Sequence, residues 1–153
     1  MSKNENEIIG RLKDASLDPD VLKGADMSGW NLKGKKLIGL NLSGANLKDA
    51  DLRKADLSEA NLTNADLRKA KLNEAILIET DLTKANLRRA DLSEANLTAA
   101  ILTGAKLWGT KMKGATLDEV VGYKKYGLFG GKSIKNRKSQ KSIKNRKSRK
   151  SQK

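Results

Sequence analysis

The sequence predicts an all-β solenoid, a chain wound round its own leucines, and three observations carry that prediction. Leucine stands at every fifth position from Leu32 to Leu107, and over the 19 five-residue units centred from 27 to 117 the central residue, i, is Leu 17 times and Met twice (Met27 and Met112). The residue at i−2 is Ala 14 times. The residue at i−1 is Asp or Asn 12 times. A repeat of this regularity governs the fold and is read before any local propensity.

Other architectures fail on geometry. An α-helix advances about 100° per residue, so leucines five apart would spiral round it and build no single buried stripe. In an unbroken strand an odd period would throw successive leucines onto opposite faces. A short extended segment in which i−2 and i point the same way, followed by a bend every five residues, returns each Ala and Leu to one interior. Gly24, Gly29, Gly34, Gly39 and Gly44 fall at i+2, where a missing Cβ relieves a tight corner.

The unit is most regular in ADLSEANLTNADLRKA, residues 55–70. It resembles the pentapeptide-repeat family, whose consensus is A(D/N)LXX, and the match runs from about 25 to 119 with a weaker leading unit around Leu22. The resemblance implies a right-handed quadrilateral β-helix with four units to each square coil. Both the four sides and the hand come from the resemblance. With the leading unit this gives about five coils, and a rod on the order of 24 Å long at the inter-strand spacing. A coil cannot bury its apolar face alone, so such a rod needs neighbours and capped ends.

The elements follow in order. The leader, residues 1–21, sets Ile8, Ile9, Leu12 and Ala15 at helical spacing between Asn4 and Pro19, and reads as a short amphipathic helix capping the first coil or docking a partner. The β-helix occupies 22–119. Its first coil is irregular, with Trp30, Lys35 and Leu40 in the slot usually given to Ala. Trp30 and Leu40 are expected to fill space under the cap, and Lys35 to snorkel outward or mark a distorted corner. Residues 120–131 gather Tyr123, Tyr126, Leu128 and Phe129, either as a plug on the last coil or as a homodimer contact. Residues 132–153 duplicate a nonapeptide, KSIKNRKSQ then KSIKNRKSR.

Residues 120–153 hold 13 Lys or Arg and no acid, which accounts for +13 of the chain's +14. A segment so basic and so poor in apolar residues is read as a disordered tail. Its cations are Lys132, Lys135, Arg137, Lys138, Lys141, Lys144, Arg146, Lys147, Arg149, Lys150 and Lys153. They favour polyanions with weak sequence preference and steep salt dependence. RNA or DNA, an anionic membrane surface, an acidic protein, a localisation role and a merely solubilising tail all stay open. No aromatic follows Phe129, so base stacking is not the expected mode.

If four units make a coil, units 20 residues apart stack into one face. The face centred on Met27, Leu47, Leu67, Leu87 and Leu107 then carries Lys48, Arg68, Lys69, Arg88, Arg89 and Lys106 against Asp26, Asp49 and Asp66, a net +3. Trp108 lies on it as a candidate hot spot, or else packs under the C-terminal cap. The next face, centred on Leu32 and its stack, is net +2. The face centred on Leu37 and its stack shows Asp56, Glu59, Glu79, Asp118 and Glu119 beside Ile38, Ile76 and Ile78, a net −4.

Composition narrows function further. With no Cys and no His there is no disulfide, Cys/His zinc site or imidazole base. No cofactor or metal is expected. The apolar runs are too short for a membrane span or signal peptide, which points to the cytoplasm, and the NLS and NLT triplets at Asn41, Asn61 and Asn96 are by-products of the repeat. Carboxylates that could pair, such as Asp56 with Glu59, decorate a convex rod with no pocket to shift a pKa, so no enzyme is expected. The reading is a non-catalytic scaffold that presents side-chain ladders to a protein partner while the tail attaches to a polyanion. Some family members resemble a DNA duplex and bind type II topoisomerases such as gyrase. That alternative needs a strongly acidic surface, and this solenoid is slightly basic.

Overall fold

A computed structural model of the chain describes residues 20–123. The expected leader helix, the aromatic segment beyond Tyr123 and the basic tail lie outside the described residues. Among those described there is no helix.

Residue i−1 of each unit forms a parallel bridge with i−1 of the unit 20 residues on, from Asp26 with Asn46 through to Ile101 with Val121. Twenty residues are four units, so the coil is four-sided. Each face is a parallel ladder, and the first runs Asp26, Asn46, Asp66, Asn86, Lys106. The fourth face, centred on Leu22, Leu42, Leu62, Leu82 and Leu102, runs on as far as Val121.

The backbone bonds explain the unit. The N–H of i donates to the next coil (Leu47 N to Asp66 O, 2.8 Å), and so does that of i+2 (Asp49 N to Arg68 O, 3.0 Å). The N–H of i−1 donates back to the previous coil (Asp66 N to Ala45 O, 2.9 Å), and the following i−2 closes the corner (Ala70 N to Leu67 O, 3.1 Å). Four of the five N–H groups are thus used, and only that of i+1 is left over. The Asp or Asn at i−1 takes it through Oδ1, as in Asn61 with Thr63 N at 3.0 Å and Asp56 with Ser58 N at 3.1 Å. Eleven of the twelve Asp or Asn residues at i−1 do this. The exception is Asn86, whose Oδ1 is buried without a partner. A preference that reads as polar decoration therefore serves the backbone, by taking up the one N–H that the coil leaves over.

At the corners i+2 has positive φ, as the second central residue of a type II turn must. It does so at glycines such as Gly39 (φ 67) and also at twelve other residues, among them Lys54, Glu59, Arg89 and Ala99, with φ between 56 and 60. A Cβ added at Gly39 would meet nothing within 4 Å. What the corner demands at Gly39 is a left-handed backbone, not space, whereas at Gly114 an added Cβ would also run into the Glu94 carboxylate.

Inside, the leucines and alanines form one continuous core, with Leu47, Ala55, Leu67 and Leu97 fully buried. Two Ala slots hold threonines that satisfy their own hydroxyls: Thr80 Oγ1 donates to Leu57 O at 2.8 Å and Thr110 Oγ1 to Leu87 O at 2.7 Å. In the first coil Trp30 is buried and Leu40 half-buried against the core. Lys35 keeps a regular corner, with its N–H 3.1 Å from Leu32 O, so the distorted-corner expectation gives way to a half-buried side chain on ordinary backbone. At the other end Leu107, Met112, Leu117 and Tyr123 are half-buried, and Gly122 stands in the next central slot. A Cβ there would lie 2.6 Å from the backbone N of Thr103, so the leucine register stops at Gly122.

Candidate functional site

The first face gathers Lys48, Arg68, Lys69, Arg88, Arg89, Lys106 and Trp108, because i−1, i+1 and i+2 point outward and the ladder stacks units 20 residues apart. Within a unit i−1 and i+1 lie side by side, and this local pairing sorts the cations. Arg68 forks onto Asp66 through Nε and a terminal nitrogen at 2.8 and 2.6 Å, and Lys48 Nζ lies 3.9 Å from Asp49. The bonded guanidinium holds the Asp66 carboxyl below its ordinary 3.8, and Asp66 in turn raises Arg68. Arg53 does the same for Asp51 on the second face.

Arg88 occupies the equivalent i+1 place, but its i−1 neighbour is the neutral Asn86. Arg88, Lys69 and Lys106 have no carboxylate partner among the described residues. The Arg89 guanidinium lies over the Trp108 ring, 5.0 Å from its centroid, and Trp108 is 61% exposed. The face is therefore graded: its N-terminal end is neutralised in place, and its C-terminal end presents free cations round an aromatic platform. Such groups donate hydrogen bonds to carboxylate or phosphate oxygens while the ring adds apolar area. The sequence signal for the sorting is the Asp-x-Arg triplet at 66–68 against Asn-x-Arg at 86–88.

On the third face Asp56, Glu59, Glu79, Asp118 and Glu119 share one surface with exposed Ile38 and Ile76. Ile78, expected to be exposed, is half-buried. The eleven candidate cations of 132–153 lie outside the described residues. No helix among the described residues is long and apolar enough to cross a membrane.

With the four-sided coil and its repeat established, comparison with known proteins decides the family. The model for pentapeptide repeats matches residues 21–53, 41–77 and 80–118. The chain belongs to the pentapeptide-repeat family. Its coil is accordingly the right-handed quadrilateral β-helix of that family. Among solved structures it is similar to a pentapeptide repeat protein of the Arabidopsis thaliana thylakoid lumen at 29% identity, covering 72% of this chain and 77% of that one with a TM-score of 0.46. It is similar to Rfr23 from the cyanobacterium Cyanothece at 32% identity, covering 64% and 88% with a TM-score of 0.39. QnrB1, a plasmid-mediated fluoroquinolone resistance protein, is 21% identical over 68% of each chain with a TM-score of 0.44. Among curated proteins none matches the sequence.

Proposed function

We propose that this pentapeptide-repeat rod is a non-enzymatic binding protein. The C-terminal half of its first face engages an acidic surface of a protein partner, and its basic segment attaches to a polyanion such as nucleic acid or an anionic surface. One observation carries the face assignment: an exposed Trp108 stacked under Arg89, on the face that also carries Arg88, Lys69 and Lys106, which have no carboxylate partner among the described residues. Exposed Trp and Arg are the side chains most often responsible for binding energy at protein interfaces. A cytoplasmic setting belongs to the same reading. The topoisomerase alternative gains no support from this surface, since its first two faces carry net positive charge.

The test is affinity capture with the full chain against three variants: Trp108→Ala, the double variant Arg88→Glu/Arg89→Glu, and Thr83→Ala on the fourth face. Proteins retained by the parent and by Thr83→Ala but lost by the other two support the face. Capture indifferent to all three sinks it. For the polyanion, binding of the full chain to duplex DNA and to RNA at two salt concentrations should weaken steeply with salt. No binding near physiological salt removes nucleic acid from the reading.

A further inference from the structure

Charge is distributed unevenly round the square. All five ion pairs among the described residues lie on the first and second faces. On the third face Asp56, Glu59, Glu79, Asp118 and Glu119 have no cationic partner among the described residues. Lys36, at its N-terminal end, is the only cation contributed by the outward positions of that face, and Ile38 and Ile76 are exposed beside the acids. A net −4 surface with an apolar patch thus faces away from the basic first face.

We propose that the third face is the docking surface for this chain's own basic segment, residues 132–153, bound in cis. The inference builds on the preceding reading, in which that segment is the polyanion element. Three features of the chain select this occupant. Charge complementarity is direct, since the segment carries eleven cations and no acid. Its two nonapeptide copies each set one isoleucine, Ile134 and Ile143, among those cations, so an apolar side chain accompanies the charge onto the face of Ile38 and Ile76.

Position and length are the third feature. The described chain ends at Tyr123, on the fourth face, and the last third-face acids, Asp118 and Glu119, lie only a few residues earlier. From Glu119 to Glu59 is three coil rises, about 14 Å. One nonapeptide spans up to about 30 Å when extended. Tethering makes the contact intramolecular, with an effective concentration on the order of millimolar.

The mechanism follows from the imbalance. Five carboxylates cannot neutralise eleven cations, so the docked segment keeps a cationic surplus through which a polyanion can engage and displace it. The acidic face then competes with the polyanion, lowering apparent affinity by the fraction of segment left free.

The chain has no cysteine, so Ser142→Cys gives a single attachment point for a spin label on the full chain. The expected result is paramagnetic broadening of amide signals at Ser58, Glu59, Ile76 and Glu79, independent of protein concentration. It should disappear in high salt and in the Glu59→Gln/Glu79→Gln/Glu119→Gln variant. Broadening centred on the first face, broadening that grows with concentration, or none at all overturns the proposal. In a second measurement the same triple variant should bind a DNA oligonucleotide about three- to tenfold more tightly than a control of equal charge, Asp49→Asn/Glu74→Gln/Glu94→Gln. Equal affinities of the two variants for the oligonucleotide also overturn it. If neither protein binds the oligonucleotide but the broadening is present, the cis contact stands and the polyanion reading falls.

Discussion

Ala99 is an L-residue held at φ 59 in the i+2 corner of the third face, in the column that begins with Gly39. Holding an L-residue in the left-handed region costs about 1–2 kcal/mol, which glycine escapes. Glycine in turn leaves a more mobile unfolded chain, which returns about 0.5–1 kcal/mol. Ala99 is half-buried, so little packing is lost with its methyl. Ala99→Gly is therefore expected to stabilise by about 0.5–1 kcal/mol, a rise in Tm of about 2–8 °C for a cooperative unit of this size. Ala99→Val places a β-branched residue where it fits worst and should lower stability by more than about 1 kcal/mol. Gly39→Ala, with no atom within 4 Å of the new Cβ, should cost about what Ala99→Gly gains, because backbone alone is at stake. Thermal and urea unfolding followed by circular dichroism measure all three. A parent that melts at or above Ala99→Gly, or a Val variant as stable as the parent, refutes the corner argument.

Leu67 is fully buried in the middle of the stack, and Leu67→Ala should cost about 3–5 kcal/mol, whereas Leu107→Ala near the end, half-buried, should cost less than half of that in the same unfolding assay. Asn61→Ala strands the Thr63 N–H and should cost about 1 kcal/mol, while Asn86→Ala, which removes an oxygen with no partner, should be close to neutral; denaturant midpoints compare the two. Asp51 and Asp66 have depressed folded pKa values, so their contribution is present above 3.8 and is lost as pH falls through the lowered values. Stability against pH should thus decline below about pH 4, modestly because both pairs are solvent-screened, and the double variant Asp51→Asn/Asp66→Asn should flatten that limb.

Several structural assignments could be made from single residues. The fivefold leucines located the core, and the 20-residue sum placed Arg88, Arg89 and Trp108 on one face, since a repeat fixes every later unit once its coil size is known. The role of Asp or Asn at i−1 was not legible in that way. It exists only because the ladder takes three N–H groups per unit and the corner a fourth, leaving one, a count that needs the hydrogen bonds between coils. The pairing of Arg68 with Asp66 is local enough to be seen in the triplet, but the stacking of Arg89 on Trp108 joins residues 19 apart and appears only when the coils are placed.

The four-unit coil that sets the register of the faces came from the family resemblance and is fixed by the bridges between coils, whereas the sequence by itself determined the period, the inward residues and the segregation of nearly all net charge into the last 34 residues. These depend on chain order and side-chain type, which a repeat makes additive. The tertiary structure decided that Arg89 lies over Trp108 and that, among the described residues, neither Arg88, Lys69 and Lys106 nor the acids of the third face meet an opposite charge from a neighbouring coil. Those outcomes depend on distances between coils stacked about 4.8 Å apart, and such distances exist only once the chain has closed its turns.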